Sequence, residues 1–345
     1  VVTLFQGALY NYKSYCCCRN YMRVKLLGVC TLMSFGVYCY GQEQDSIRRE
    51  EPAVKVQQVI LKNGEVREYP RPKWHEPITN LPKDFMTTNR SFVQNGNAWY
   101  LGGAVAATAL LVPFDQQIVD GSRKLADNLG MSAENKYAKF GPIPKSVGAG
   151  LYMIGNGTTV LLLGAGFLTY GLMKNDYRAY ATASGLLESL ALSGFYVQVL
   201  KRSTGRESPF IARENGNSGG AWNPFPSFSA YGKNTPHYDA MPSGHLATIM
   251  AGFTVITTNY PDVKWLKPVG YTLIGGLCFQ MMQSEVHWAS DYPLALLIGY
   301  FSGRSIARSH FKKVKNGEDG KPQYSLDVVG GNAYGINTIG VKMSF

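Results

Sequence analysis

The sequence predicts an all-α protein, a helical bundle of about six core helices with small β-hairpin arms at its N- and C-terminal ends. Three observations carry this. Six apolar segments, roughly 97–113, 147–173, 177–200, 243–259, 265–284 and 288–307, are each long enough for a helix. The stretch before them, 42–95, is polar and rich in Pro, Glu, Arg and Lys, while both ends carry short alternating runs around Gly-containing turns. At 345 residues and 45% apolar content, the chain is large enough to bury a sizeable core.

Taken in order, residues 1–41 read as upstream sequence followed by a signal peptide. From Met22 a basic start (Arg23, Lys25) precedes an apolar run that ends at Gly41, before the polar Gln42-Glu43. Five of the six cysteines (Cys16, Cys17, Cys18, Cys30, Cys39) fall in this leader. The remainder keeps only Cys278, which excludes an intramolecular disulfide or a cysteine metal cluster and reads as a core filler. The expectation is a protein secreted across the inner membrane, periplasmic or envelope-associated.

Residues 42–95 form a polar N-terminal arm. Within it Val56–Tyr69 places Asn63-Gly64 between strand-like runs, the signal for a type I′ hairpin. Residues 96–310 hold the helices and a long loop, 208–241, expected to wall or cover a site. Residues 311–345 form a tail whose alternating end, Tyr324–Phe345, predicts a second hairpin pairing with the first. Asn156, Glu188 and His245 interrupt the apolar segments, and the mean hydropathy of −0.11 is low for six membrane spans. These features favour a soluble or surface-associated bundle over a spanning one, with a membrane-bound form as the alternative.

The net charge of +11 suits anionic partners, either phosphates or a membrane surface. No Lys/Arg stripe interleaved with aromatics points to nucleic acid. The cluster Arg304, Arg308, Lys312, Lys313 and Lys315 reads as a solvated helix end or a contact for anionic lipid.

Chemistry concentrates in three stretches, in the order Leu200–Pro209, Pro242-Ser-Gly-His245 and His287-Trp-Ala-Ser-Asp291. Ser243 and Gly244 open an apolar helix, whose free N–H groups and dipole attract phosphate, and His245 follows directly. His287 and Asp291 are four apart, so one helical turn lets them meet; a carboxylate on Nδ1 would leave Nε2 as base or nucleophile. Lys201 and Arg206 supply positive charge for a phosphoryl group. Gly216-x-Ser218-x-Gly220 has the letters of a nucleophile elbow without its strand and helix.

These stretches resemble the signature of the type 2 phosphatidic acid phosphatase and vanadium haloperoxidase superfamily: Lys-x6-Arg-Pro, Pro-Ser-Gly-His, Ser-Arg-x5-His-x3-Asp. The resemblance covers about residues 97–305. It implies a helical bundle with its site at one end and a phosphomonoesterase acting on a phosphorylated small molecule or lipid phosphate. His287 would attack phosphorus to form a phosphohistidine and Asp291 would orient it. His245 would protonate the leaving alcohol, while Lys201 with the Ser243 and Gly244 region holds the phosphate. No cofactor or metal is called for. Two arginines of the signature are replaced, by Ser208 and Met281, with Arg206 as partial compensation. The alternatives are a relative that binds a phosphate-bearing ligand without turnover, or a structural envelope protein.

Overall fold

The computed structural model describes residues 55–131, 144–314, 325–333 and 336–344. The chain divides into two units, 1–52 and 53–345, and every described residue belongs to the second. The leader with its cysteines and signal-peptide reading lies outside the described residues, as does Lys315.

The N-terminal hairpin forms where Asn63-Gly64 turns the chain. β1 (Val56–Ile60) pairs antiparallel with β2 (Val66–Pro70), but the expected type I′ turn is not formed: Asn63 does not take a positive φ, and Gly64, at φ 83°, closes a longer loop by donating its N–H to Leu61 O. Helices follow: α1 (Glu76–Thr79), α2 (Leu81–Val93), α3 (Ala98–Leu111), α4 (Asp115–Asn128), α5 (Val147–Ile154) and α6 (Gly157–Lys174). Then come α7 (Tyr177–Thr204), α8 (Pro209–Asn215), α9 (Phe228–Lys233), α10 (Gly244–Asn259), α11 (Leu266–Gln283) and α12 (Tyr292–Ser309).

Local chemistry sets their ends. The Asp176 side chain accepts from Ala179 N to start α7, and Ser243 does the same from Leu246 N for α10. α7 stops at Gly205 in the left-handed region, where a Cβ would run into the carbonyl of Asn223, so only glycine fits. The segment expected as one helix over 147–173 breaks into α5 and α6, bent by 70°. Asn156 caps α6 by accepting from Thr158 N, and Gly155 packs against the His245 side chain.

The bundle core runs through α7, α10, α11 and α12, around Val197, Leu246, Met250, Phe253, Leu277, Met281 and Ala295, with Cys278 packed on its edge. α10 and α12 approach backbone to backbone. A Cβ at Gly299 would sit 2.5 Å from Ala247 O, and one at Gly303 would strike the Ala251 carbonyl. Two long-range consequences are that α10 and α12 hold a fixed spacing and that their N-termini, which carry the histidines, lie together.

Three expectations need correction. The arm 42–95 is not all linker, because it contains α2, whose buried residues are Asp84 and Thr88. That face is polar, so no apolar period announces it. A further helix, α4, appears where none was expected; its buried positions Asp115, Val119, Ser122 and Ala126 recur at helical spacing but are mostly small or polar. The strand that joins the N-terminal hairpin is β3 (Lys312–Val314), which pairs with β2, and not the final hairpin. The latter, β4 (Ser325–Ala333) with β5 (Ile336–Ser344), is a separate two-stranded sheet.

Two helical stretches, Ala98–Asn128 and Tyr177–Thr204, are long and apolar enough to cross a membrane, and the bent pair α5–α6 is a third if counted as one span. Exposed apolar side chains on α6 include Leu162, Leu172 and Met173.

Candidate active site

The site lies where the C-terminus of α7 meets the N-termini of α10 and α12. Lys201 comes from the last turn of α7, Gly244 and His245 from the first turn of α10, and His287 and Asp291 from the segment leading into α12. Lys201, Gly244 and His245 line one cavity of about 320 Å³, together with Gly155, Gln198 and Thr248. A Cβ on Gly244 would lie 3.7 Å from Lys201 Nζ, which shows how close the cation sits to the α10 N-terminus. The ring centres of His245 and His287 are 6.2 Å apart.

His287 is buried and held at one nitrogen. Its Nδ1 lies 2.7 Å from Ala240 O and 3.5 Å from Asp291 Oδ2. The expectation that a carboxylate bonds Nδ1 is therefore modified, since the backbone carbonyl takes the hydrogen bond and Asp291 stands behind it. Either way the neutral ring carries its proton on Nδ1 and presents Nε2 as a lone pair. Asp291 is anchored by accepting from Trp288 N at 2.8 Å and from Arg206 Nη1 at 2.8 Å.

Burial first, then the neighbouring charges of His287 and Lys201, lower the pKa of His245 to about 3. Its ring packs against Tyr152, 4.5 Å between centres. Ser243 is fully buried: its Oγ accepts from Leu246 N and donates to Met281 Sδ at 3.7 Å, and its N–H donates to Asp291 O. It shapes the helix end and lies under the cavity, not on its surface.

Arg206 is where the structure departs most from expectation. It is wholly buried and does not line the cavity. Its Nη2 donates to Asp115 Oδ2 at 2.6 Å and to Gly219 O at 3.0 Å; its Nη1 donates to Asp291 Oδ1 and to Ser290 Oγ at 2.6 Å. Trp222 and Trp288 lie 4.8 and 5.1 Å from its guanidinium. With both forks taken by two carboxylates, Arg206 positions Asp291 and offers no free donor pair to a phosphate. Arg206 is thus corrected from phosphate ligand to internal brace.

Neither position of the two replaced arginines supplies a cation to the cavity. Ser208, at the α8 N-cap, is 3% exposed and donates its N–H to Pro236 O. Met281 is fully buried in the core beneath Ser243. Lys201 is the only Lys or Arg among the described residues lining the cavity, and its Nζ is 3.2 Å from Asp239 Oδ2.

Sequence reasoning missed Asp115, Asp239, Ser290 and the Ala240 carbonyl. Asp115 starts α4 and accepts from Ser290 N and Oγ as well as from Arg206. Nothing at position 115 announces this, since its partners lie more than ninety residues away. The loop 208–241 contributes no residue to the cavity lining but braces the site residues: it delivers Asp239 to Lys201, Ala240 to His287 and Gly219 to Arg206.

A family model described as PAP2 superfamily matches residues 182–315, which contain Lys201, Arg206, Ser243, Gly244, His245, His287 and Asp291. The match supports a domain of the PAP2 superfamily over these residues. That superfamily consists generally of phosphatases, which supports a phosphatase-type domain here. No curated protein and no solved structure matches the chain. Asp115, on α4, lies outside the matched residues and yet reaches the same network.

Proposed function

We propose that the protein is a phosphomonoester hydrolase acting through a phosphohistidine on His287, with a phosphorylated small molecule or lipid phosphate as substrate. One observation carries the reading: Lys201, the α10 N-terminus and His245 share one cavity, and the buried His287 ring lies 6.2 Å from that of His245, behind the cavity lining.

In the first step the Nε2 lone pair of His287 attacks phosphorus and a P–N bond forms as the P–O ester bond breaks. The departing alkoxide takes a proton from His245. Lys201 and the N–H groups of the α10 first turn balance charge on the phosphoryl oxygens. In the second step neutral His245 takes a proton from water, whose oxygen attacks phosphorus. The P–N bond breaks, releasing phosphate and restoring His287. A pKa near 3 leaves His245 neutral at pH 7 by itself. A phosphoryl dianion beside it opposes the charge of Lys201 and favours the protonated acid.

Binding without turnover is the second reading, and the cation count favours it. Losing one oxyanion donor typically costs about 2.7–4 kcal/mol of transition-state stabilisation, and here two arginine positions are filled by Ser208 and Met281. Phosphate release from p-nitrophenyl phosphate and from phosphatidic acid, compared between the native chain and His287→Ala, separates the readings. Turnover that vanishes in the variant supports the hydrolase. Phosphate binding with no turnover by the native chain supports the binding protein.

A further inference from the structure

A second cation-lined region lies at the other end of α12. From Asp291 to Arg308 the helix rises about 25 Å, so the two regions share no ligand atoms. Arg304 and Arg308, one turn apart in the last turns of α12, line two adjoining cavities of about 670 and 320 Å³. No carboxylate lines either cavity among the described residues.

Cations at a helix C-terminus often do no more than offset its dipole. That explanation does not extend to Lys267, which lines the smaller cavity from the second position of α11, where a helix dipole opposes a positive charge. Nor are these charges neutralised by partners. Arg304 donates to the Tyr300 hydroxyl, a neutral group, and Arg308 has neither a hydrogen bond nor an ion pair among the described residues. Glu65, the carboxylate that acts on Arg308, is already held by Arg67 and Lys313. Burial and the charge of Arg304 lower the pKa of Arg308, as expected where like charges crowd without a counter-ion.

The larger cavity is polar beyond the arginines. Ser91, Gln94 and Asn97 line it from the α2–α3 side, and Ser305 lines it from α12. Ser305 is 8% exposed and its hydroxyl has no hydrogen-bond partner. A buried hydroxyl left unpaired is destabilising, and a ligand hydroxyl would satisfy it.

We propose that Arg304, Arg308 and Ser305 form a binding site for a phosphorylated polyol, either a free sugar phosphate or the phosphorylated sugar-alcohol headgroup of a lipid. The arginines take the phosphate, and the amide and hydroxyl side chains take the ligand's hydroxyls. The site is independent of the hydrolase reading.

The test uses the full chain carrying His287→Ala, with and without Arg304→Gln/Arg308→Gln. Calorimetry with glucose 6-phosphate and with glucose is paired with flotation on phosphatidylcholine vesicles with or without phosphatidylinositol phosphate. The expected result is a loss of about tenfold or more in affinity in the arginine variant, for glucose 6-phosphate if the ligand is soluble, or for the phosphoinositide vesicles if it is a lipid headgroup. Equal binding with and without the arginines overturns the site, as does glucose binding as tightly as glucose 6-phosphate. Should the double variant lose helical circular dichroism, Arg308→Gln alone, at an exposed position, gives the same comparison. In the otherwise native chain the arginine substitutions leave p-nitrophenyl phosphate turnover unchanged, so failure of this site and failure of the hydrolase reading are told apart.

Discussion

The two ends of α12 handle positive charge in opposite ways. At its N-terminal end, Arg206 is enclosed by Asp115 and Asp291, and Lys201 is paired with Asp239. At its C-terminal end, Arg304 and Arg308 face cavities with no carboxylate in their lining among the described residues. The difference shows that counting cations in a motif does not measure grip on phosphate. A guanidinium whose donors are spent on carboxylates serves as a brace, and one with unspent donors is free to meet a ligand. The end proposed for the chemistry has fewer uncommitted cations in its cavity than the end proposed for binding.

Four experiments attack or refine that contrast. The largest effect is expected from His287→Ala, which should abolish phosphate release by about 1,000-fold or more while leaving the fold intact, as loss of a covalent nucleophile does. Retained turnover would move the chemistry away from this end of α12 altogether.

Next comes Asp115→Ala. Removing one partner from a buried ion-pair network typically costs about 3–5 kcal/mol; a melting experiment should show that loss, and kcat should fall with little change in KM because Asp291 loses its brace. A rise confined to KM would instead make Arg206 a substrate ligand. Asp115→Asn, which keeps acceptor capacity, should recover part of both.

The third is a pH series. The folded pKa of His245, about 3, lies below the ordinary histidine value of 6.5. The unfolded chain therefore binds this proton first, so the contribution of neutral His245 to stability is present above pH 6.5 and is lost as pH falls from there towards 3. The melting temperature should decline over that window, and less so in His245→Gln. Added inorganic phosphate should soften the decline if the cavity accepts an anion.

The smallest expected effect is a gain. Met281→Arg brings a cation beneath Ser243, and inhibition by inorganic phosphate should tighten by about tenfold, at some thermal cost because Met281 is fully buried. Unchanged inhibition would mean that Lys201 and the α10 N-terminus already supply all the grip there is.

Much of the bundle was legible in the chain. The apolar segments behind α3, α7, α10, α11 and α12 stand where their composition and caps place them, and Asn63-Gly64 turns the first hairpin. α2 was not legible because its core-facing residues are Asp84 and Thr88, and the burial of Asp84 beside Glu188 raises its pKa to about 7. Glu188 reads as an interruption of an apolar run, yet it bonds His310 Nε2 at 2.8 Å from the far end of α12. Such polar partners are set by contacts across more than a hundred residues, and no local period records them.

The sequence by itself singled out the candidate residues: two histidines, an aspartate four residues on from one of them, and a helix that begins at Ser-Gly-His. Local rules suffice for that, because helix capping and the four-residue turn act over a few bonds. Tertiary structure alone decided what each charge is for. Whether an arginine holds phosphate or holds an aspartate depends on which carboxylates the fold brings within 3 Å, and for Arg206 those come from α4 and from the start of α12. Electrostatic roles are pairwise and long-range in sequence, so they emerge only once the helices have packed.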